Sequence, residues 1–260
     1  MLLLKIKILS IAGSDPSTLA GIQGDIKTAQ KLKVKIATAI TSVTAQNSCK
    51  VHANYPLPSN IVQKQIETIL EDGEFSCIKI GMVGISAAII AQILKEKARE
   101  IPIILDPIII SGSGFELLAK SDFADFKKSL IPLSYLITPN VKEAEILAKM
   151  KINNFIDVKK AAKIIQNLGA KNVLIKGGDF DLNKKKISHF LLTNQNEEII
   201  ISNKRLPYKN IRGTGCKLST AIAIFLSQNL KLESAIKKAN NFVSKSIKNG
   251  KQLGEVFVMN

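Results

Sequence analysis

Tryptophan is absent from the 260 residues, histidine occurs twice, and only three of the 37 basic side chains are arginine: Arg99, Arg205 and Arg212. A net charge of +16 would ordinarily suggest a nucleic acid or acidic membrane partner. Without clustered arginine or tryptophan, and with lysines spread along the chain, the charge reads as lysine drift, and no nucleic-acid partner is expected. The densest basic run is Lys184 to Lys186. Cysteine is also scarce: Cys49, Cys77 and Cys216 show no CxxC spacing, which argues against a disulfide framework and a zinc site and favours a reducing, cytoplasmic compartment. No apolar stretch is long enough to cross a bilayer; the longest without charge, Ile80 to Leu94, contains two glycines. The N-terminal MLLLKIKILSIAGSD is interrupted by Lys5 and Lys7 and reads as a first strand, not a signal peptide. GxxxxGK[ST] occurs nowhere, so a P-loop is excluded.

What is present is a regular alternation. Short β-branched runs (IKILSIA, KIATAITSV, FSCIKIG, IPIILDP, SYLITPN, KNVLIKGG) are separated by amphipathic segments such as IQGDIKTAQKLK and SAAIIAQILKEKARE. That order predicts an α/β fold with a mostly parallel central sheet flanked by helices. KKKISHFLLTNQNEEIIISN predicts a small antiparallel hairpin at one edge, and two helices close the chain. No linker or internal repeat divides it, so residues 1–260 are expected to form one domain.

Ligands of open parallel sheets bind beyond the carboxyl ends of the strands, so residues that follow each strand carry the functional signal. After the first strand, Gly13 and Gly21 permit tight turns, and Asp15 and Asp25 supply carboxylates near a helix start; for Asp15 a turn or cap serves equally well. Gln46 and Asn47 offer amides suited to the edge of a heteroaromatic ring. Met82 could line a flat ligand or simply pack in the core. Asp106 needs a partner if buried, and Mg²⁺ with its water shell is one. Asn140 and Glu143 match a capping box as well as a ligand set, and Lys176 could reach a nucleotide phosphate. Gly213, Thr214, Gly215 and Cys216 begin an apolar helix, whose free N–H groups form an anion site. The same field is expected to lower the pKa of Cys216 and fit it as base or nucleophile, the alternative being a buried structural cysteine.

Taken in order, ILSIAGSDPS, AGIQGDIKT, TSVTAQNS, KIGMVG, ILDPII, LITPNVKEAE, VLIKGGD and RGTGCKLSTAIA resemble the hydroxymethylpyrimidine/phosphomethylpyrimidine kinases over nearly the whole chain. The resemblance implies a ribokinase-like three-layer sandwich that phosphorylates 4-amino-5-hydroxymethyl-2-methylpyrimidine and then its monophosphate with ATP and Mg²⁺, for thiamine diphosphate biosynthesis. It implies that Asp25 and Gln46 hold the aminopyrimidine, that Gly13 and Met82 line its pocket, and that Asp106, Asn140 and Glu143 organise Mg²⁺ and phosphates. Lys176 would contact the nucleotide, the Gly213–Thr214–Gly215 turn would be the anion hole, and Cys216 the base. It further implies a homodimer. The alternatives are a pyridoxal kinase of the same fold and a non-catalytic ligand-binding relative. Departures from the family pattern are Thr18-Leu19 for a glycine pair, Arg212 for histidine, Lys217 for threonine, Asp179 for histidine, and the C-terminal GKQLGEVFVMN. Arg212 and Lys217 are expected to add two cations beside the anion hole, offset in part by Asp179.

Overall fold

Along the interior strands, neighbouring residues divide strictly between two apolar layers. In the computed structural model, which describes residues 8–177, 185–208, 210–253 and 256–259, Leu9, Ile11, Ile78, Ile80, Leu105 and Ile137 belong to one cluster, and Ile8, Cys77, Ile104 and Leu136 to the other. Successive side chains of a strand point to opposite faces, so a strand covered by helices on both sides is apolar at most positions, and the buried exceptions Ser10 and Lys79 need polar partners. Each isoleucine so buried contributes about 1.5–3 kcal/mol.

The strands are β1 (Ile8–Ser14), β2 (Ile36–Gln46), β3 (Val51–Pro56), β4 (Cys77–Ile80), β5 (Ile103–Leu105), β6 (Leu136–Ile137), β7 (Asn172–Ile175), β8 (Lys186–Leu192), β9 (Glu198–Lys204), β10 (Lys251–Leu253) and β11 (Val256–Val258). The helices are α1 (Gly21–Lys31), α2 (Ser59–Glu71), α3 (Ala87–Lys97), α4 (Phe123–Ser129), α5 (Val141–Ala148), α6 (Phe155–Asn167), α7 (Thr214–Ser227) and α8 (Leu232–Lys248). The nine-stranded sheet has the order β3-β2-β1-β4-β5-β6-β7-β8-β9. From β2 to β7 all pairings are parallel. Antiparallel strands finish both edges: β3 on β2, and the β8–β9 hairpin on β7. Helices α2 to α6 cover one face and α1, α7 and α8 the other. This is the three-layer α/β architecture expected, with β8–β9 the predicted edge hairpin.

Two elements were not anticipated. VHANYP forms β3, whose mixed polar composition hides it. The tail pairs β10 with β11, and Phe257 bridges to Ile211. Its ring stacks on Tyr208 with centroids 4.2 Å apart. The tail that departs from the family pattern is therefore folded against the turn leading into α7. Strand β1 has β2 on one side and β4 on the other, so chain direction switches there, and a crevice opens at the carboxyl ends of the parallel strands.

Candidate active site

A cavity of about 500 Å³ occupies that crevice, a size suited to a small ligand. It is lined by Gly13, Gln46, Met82, Asp106, Asn140, Glu143, Lys176 and the stretch Gly213–Cys216, which unites nearly all the residues singled out from the sequence.

At one end α7 begins without a side-chain cap. Its N-cap, Gly213, has φ +73°, and a Cβ there would collide with the Leu19 carbonyl. Only glycine satisfies both conditions. The first-turn N–H groups of this 14-residue helix consequently face a cavity, where their partial positive charge favours an anion. Cys216 lies in this first turn, 7 % exposed, and the Gly21 N–H donates to its sulfur.

Deeper in, Lys176 Nζ lies 2.7 Å from Asp106 Oδ1, which also accepts from Thr138 Oγ1; Ser219 Oγ donates to Oδ2. Burial pushes the Asp106 carboxyl up, but the Lys176 and Lys79 cations and these hydrogen bonds outweigh it and hold the group below its ordinary range. Asn140 and Glu143 make the full reciprocal capping box of α5: Asn140 Oδ1 accepts from Glu143 N, and Glu143 Oε2 accepts from Asn140 N. Both also line the cavity. Glu143 is 4 % exposed, and burial, opposed by Lys176, raises its pKa to about 7.

At the other end Met82 lies against Gly13 so closely that a Cβ on Gly13 would meet its Cε, leaving a smooth apolar wall. Gln46, at the end of β2, lines the same space. Asp15 accepts from the backbone N–H groups of Ser17, Leu19 and Ala20 and from Ser17 Oγ, so its carboxylate folds the loop beside the cavity. Thr18 within that loop has φ +61°, strained for a β-branched residue, and Lys27 Nζ holds its hydroxyl at 2.6 Å.

Four expectations change. Asp25 is fully buried below the cavity and does not line it; its oxygens accept from Ser10, Lys79 and Thr220, because its place on α1 faces the sheet. Cys216 is not a preformed thiolate: burial outweighs Lys79 and the Gly21 N–H, and its pKa is raised to about 11. Asp106 finds its buried partner in Lys176, so the cation expected at the nucleotide is already paired. Lys217 does not line the cavity; burial, with Lys31 and Lys27 nearby on α1, lowers its pKa to about 8. Asp179 lies outside the described residues.

Two residues gain roles that the sequence did not reveal. Lys79, in β4, is completely buried. Arg212 spans the cavity mouth, its Nη2 donating to the Cys49 carbonyl and its Nη1 so near Gly112 that a Cβ there would lie 2.5 Å away.

Among the described residues no three His, Cys, Asp or Glu side chains converge as a metal cage. Asp106 and Glu143 are two carboxylates in one cavity with water-accessible space. That donor set suits Mg²⁺, which retains waters and substrate phosphate oxygens and needs only one or two carboxylates.

An uncapped helix terminus that faces the cavity, a cysteine in its first turn, and carboxylates that follow the adjacent strands β5 and β6, all on this sheet order, define a kinase of the ribokinase-like class. A family model described as phosphomethylpyrimidine kinase matches residues 15–259, and the chain belongs to that family. It is 35% identical over 252 residues to the hydroxymethylpyrimidine/phosphomethylpyrimidine kinase of Haemophilus influenzae, covering 96% of this chain and 93% of that protein. Against the enzyme of the same name from Bacillus subtilis the values are 38% over 256 residues, 95% and 91%. The crystal structure of phosphomethylpyrimidine kinase from Clostridium difficile superposes with a TM-score of 0.81 at 36% identity, covering 94% of this chain and all of that one. Pyridoxal kinase from Staphylococcus aureus, in complex with AMP-PCP and pyridoxal, gives 0.87 at 30% identity, with 99% and 93% covered.

Proposed function

We propose that the protein transfers the γ-phosphoryl group of ATP to 4-amino-5-hydroxymethyl-2-methylpyrimidine and then to its monophosphate, in thiamine biosynthesis. The observation that carries this reading is the continuity of the cavity, which joins the Gly13–Met82 wall and the Gln46 amide to the uncapped start of α7. A flat ring against Met82, its edge bonded by Gln46, would direct its hydroxymethyl group toward Cys216. Two relatives, from Geobacter sulfurreducens and Arabidopsis thaliana, are named as bifunctional proteins of thiamine biosynthesis.

In the transfer, the hydroxymethyl O–H gives its proton to the Cys216 thiolate, the oxygen bonds to the γ-phosphorus, and the bond to the ADP oxygen breaks. The thiol has first lost its own proton to solvent. The N–H groups of Thr214, Gly215 and Cys216 stabilise charge on the moving phosphoryl oxygens. Mg²⁺, held through Asp106 and Glu143 partly by way of water, would supply further neutralisation of phosphate charge. Lys176 holds Asp106 ionised and in place. The 38 % to 30 % range of identities to both kinases leaves the fold common to two substrates, and the complex of the S. aureus relative with pyridoxal favours pyridoxal as a second reading.

A steady-state comparison of the two substrates with MgATP, resolving mono- from diphosphate product, tests the proposal. Higher kcat/KM for the pyrimidine and formation of its diphosphate are expected; better turnover of pyridoxal would overturn the assignment. The proposal includes a homodimer in the cytoplasm. The cross-strand pair Val43 and Tyr55 at the β2–β3 edge, 47 % and 68 % exposed, supports an apolar contact there. Tyr55→Lys should dissociate such a dimer in analytical ultracentrifugation. Among the described residues no helix is long and apolar enough to cross a membrane.

A further inference from the structure

We propose that His189 is a positioning residue for Lys176: its ring holds the backbone just after that lysine and so fixes the ammonium beneath the first turn of α7; the consequence for ATP rests on the kinase reading. Pairing of β7 with β8 ends at Ile175 and Phe190. Gly177, two residues on, donates its N–H to His189 Nδ1 at 3.0 Å. A Cβ on Gly177 would lie 1.4 Å from the Ser188 carbonyl oxygen, so the chain crosses β8 where only glycine fits. Lys176 N itself donates to the Pro139 carbonyl at 2.8 Å. The lysine backbone is therefore held on two sides, by the segment that follows β6 and by the His189 ring.

That clamp aims the side chain at the anion end of the cavity. Lys176 Nζ lies 2.7 Å from Asp106 Oδ1, and a Cβ on Gly215 would lie only 3.2 Å from the same Nζ. The ammonium thus sits directly against the turn whose N–H groups face the cavity. It carries three donors, so the bond to Asp106 does not exhaust it. A misplacement of about 1 Å at such a group can cost about 10²-fold in rate.

The protonation state of the ring follows from its contacts. Because Gly177 donates to Nδ1, the neutral ring carries its proton on Nε2, which donates to Asn240 Oδ1 of α8 at 3.2 Å. An imidazolium would set a second N–H against that of Gly177. Asn240 keeps this orientation although its Nδ2 is buried and finds no partner among the described residues. Burial pushes His189 down to about 4, the Asn240 hydrogen bond opposing the shift and the Lys176 charge adding to it, in agreement with a neutral ring. His189 is buried, and the residues that follow it in β8, Phe190 and Leu191, are apolar. An apolar side chain would pack there too, but it would leave the Gly177 N–H without an acceptor.

The test compares three substitutions in the full chain. Asn places its Oδ1 near the position of Nδ1 and keeps an acceptor for Gly177; Gln reaches the position of Nε2 and keeps only the Asn240 side; Leu keeps neither. His189→Leu and His189→Gln should raise KM for ATP at least about tenfold with KM for the pyrimidine within about twofold, and His189→Asn should stay close to the parent. Both KM values rising alike, or Leu and Asn behaving alike, would overturn the proposal. Should His189→Leu fail to fold, Gln against Asn still decides. Crystal structures of the ligand-free variants read the positioning without turnover: the Lys176–Asp106 pair should persist with Asn and be lost with Gln or Leu. A pair unmoved in all three would reject the role of His189 even in an active kinase. The chain has two histidines, so 15N NMR in a His52→Asn background isolates His189, whose Nδ1 should carry no proton at about pH 7; a protonated Nδ1 would also reject it. If the parent phosphorylates neither ring substrate, the kinase reading fails, while the structures and the spectrum still decide the positioning.

Discussion

Lys176 and Asp106 share a 2.7 Å ion pair in which the two side chains are 12 % and 2 % exposed. The pair explains how a carboxylate can wait, ionised, at the end of an apolar strand. Replacing Asp106 by Asn strands the Lys176 charge, and breaking one partner of a buried pair costs about 3–5 kcal/mol. Asp106 is held below its ordinary pKa, so its stabilisation is present above the unfolded pKa and is lost only as pH falls through the depressed folded value. Thermal melts should show Asp106→Asn less stable than the parent at neutral pH, the gap closing only in strong acid. A gap that closes between about pH 6 and 5 would contradict the pairing.

Glu143 behaves in the opposite sense. Its pKa is raised to about 7 by burial, so between the ordinary carboxylate value and about 7 the folded protein binds more protons than the unfolded chain. Stability therefore falls as pH rises through this window, and the penalty is complete above it. Gln at this third helical position preserves the capping box, since its side-chain oxygen can accept from Asn140 N. Glu143→Gln should be more stable than the parent at about pH 8, by on the order of 1–3 kcal/mol, with the two converging near about pH 5. Turnover should fall at least about tenfold, because one of the two carboxylates proposed to hold Mg²⁺ is removed. Equal melts at both pH values would refute the burial argument.

Cys216, raised to about 11, predicts a rate that climbs with pH from neutrality to about pH 10, as the thiolate fraction grows. Cys216→Ser, whose hydroxyl is a far weaker acid, should lower kcat by about 10²–10⁴-fold with little change in KM and should flatten this climb. A parent profile that is flat over the range, or a serine variant that retains it, would remove Cys216 from proton transfer.

The fold was legible because strands buried on both faces must read as apolar runs, and the site because parallel strands deliver their carboxyl ends to one crevice. Gly13, Gln46, Met82, Asp106, Asn140 and Lys176 are found by that rule alone. Asp25 defeats it. Lying one turn inside α1, it carries a polar side chain toward the sheet, and its partners Lys79 and Thr220 come from 54 and 195 residues away. Lys79 was hidden for the same reason: in CIKI a lysine reads as a strand's exposed position until helices cover both faces. The helix-terminus field at Cys216 is a local property and could be read from GTGC; desolvation is tertiary and could not. Strand β3 and the tail pair escaped because short, mixed segments acquire their structure from the partner they meet.

Arg212 supplies the remaining test, and it concerns the mouth of the cavity instead of its floor. Its side chain donates to the Cys49 carbonyl in the loop after β2 and packs on Gly112 in the loop after β5, while its own N–H donates to the Phe257 carbonyl at 3.4 Å. One residue thus joins two strand-end loops and the tail, immediately before Gly213, the N-cap of α7. Losing a charged hydrogen bond costs about 1.5–3 kcal/mol when the acceptor is left unpaired, but the Cys49 carbonyl is at an exposed mouth where water can replace it. The fold should therefore survive Arg212→Ala with a melting shift of only a few degrees, whereas the loops that frame the cavity lose their common anchor. Because positioning of substrate, not the reacting atoms, is disturbed, KM for the ring substrate should rise about tenfold with a smaller fall in kcat. Gly112→Ala, which forces the guanidinium aside while leaving the charge, should reproduce the KM effect. If Arg212→Ala lowers kcat and leaves KM unchanged, the guanidinium acts on the phosphoryl group directly and does not position substrate by joining the loops.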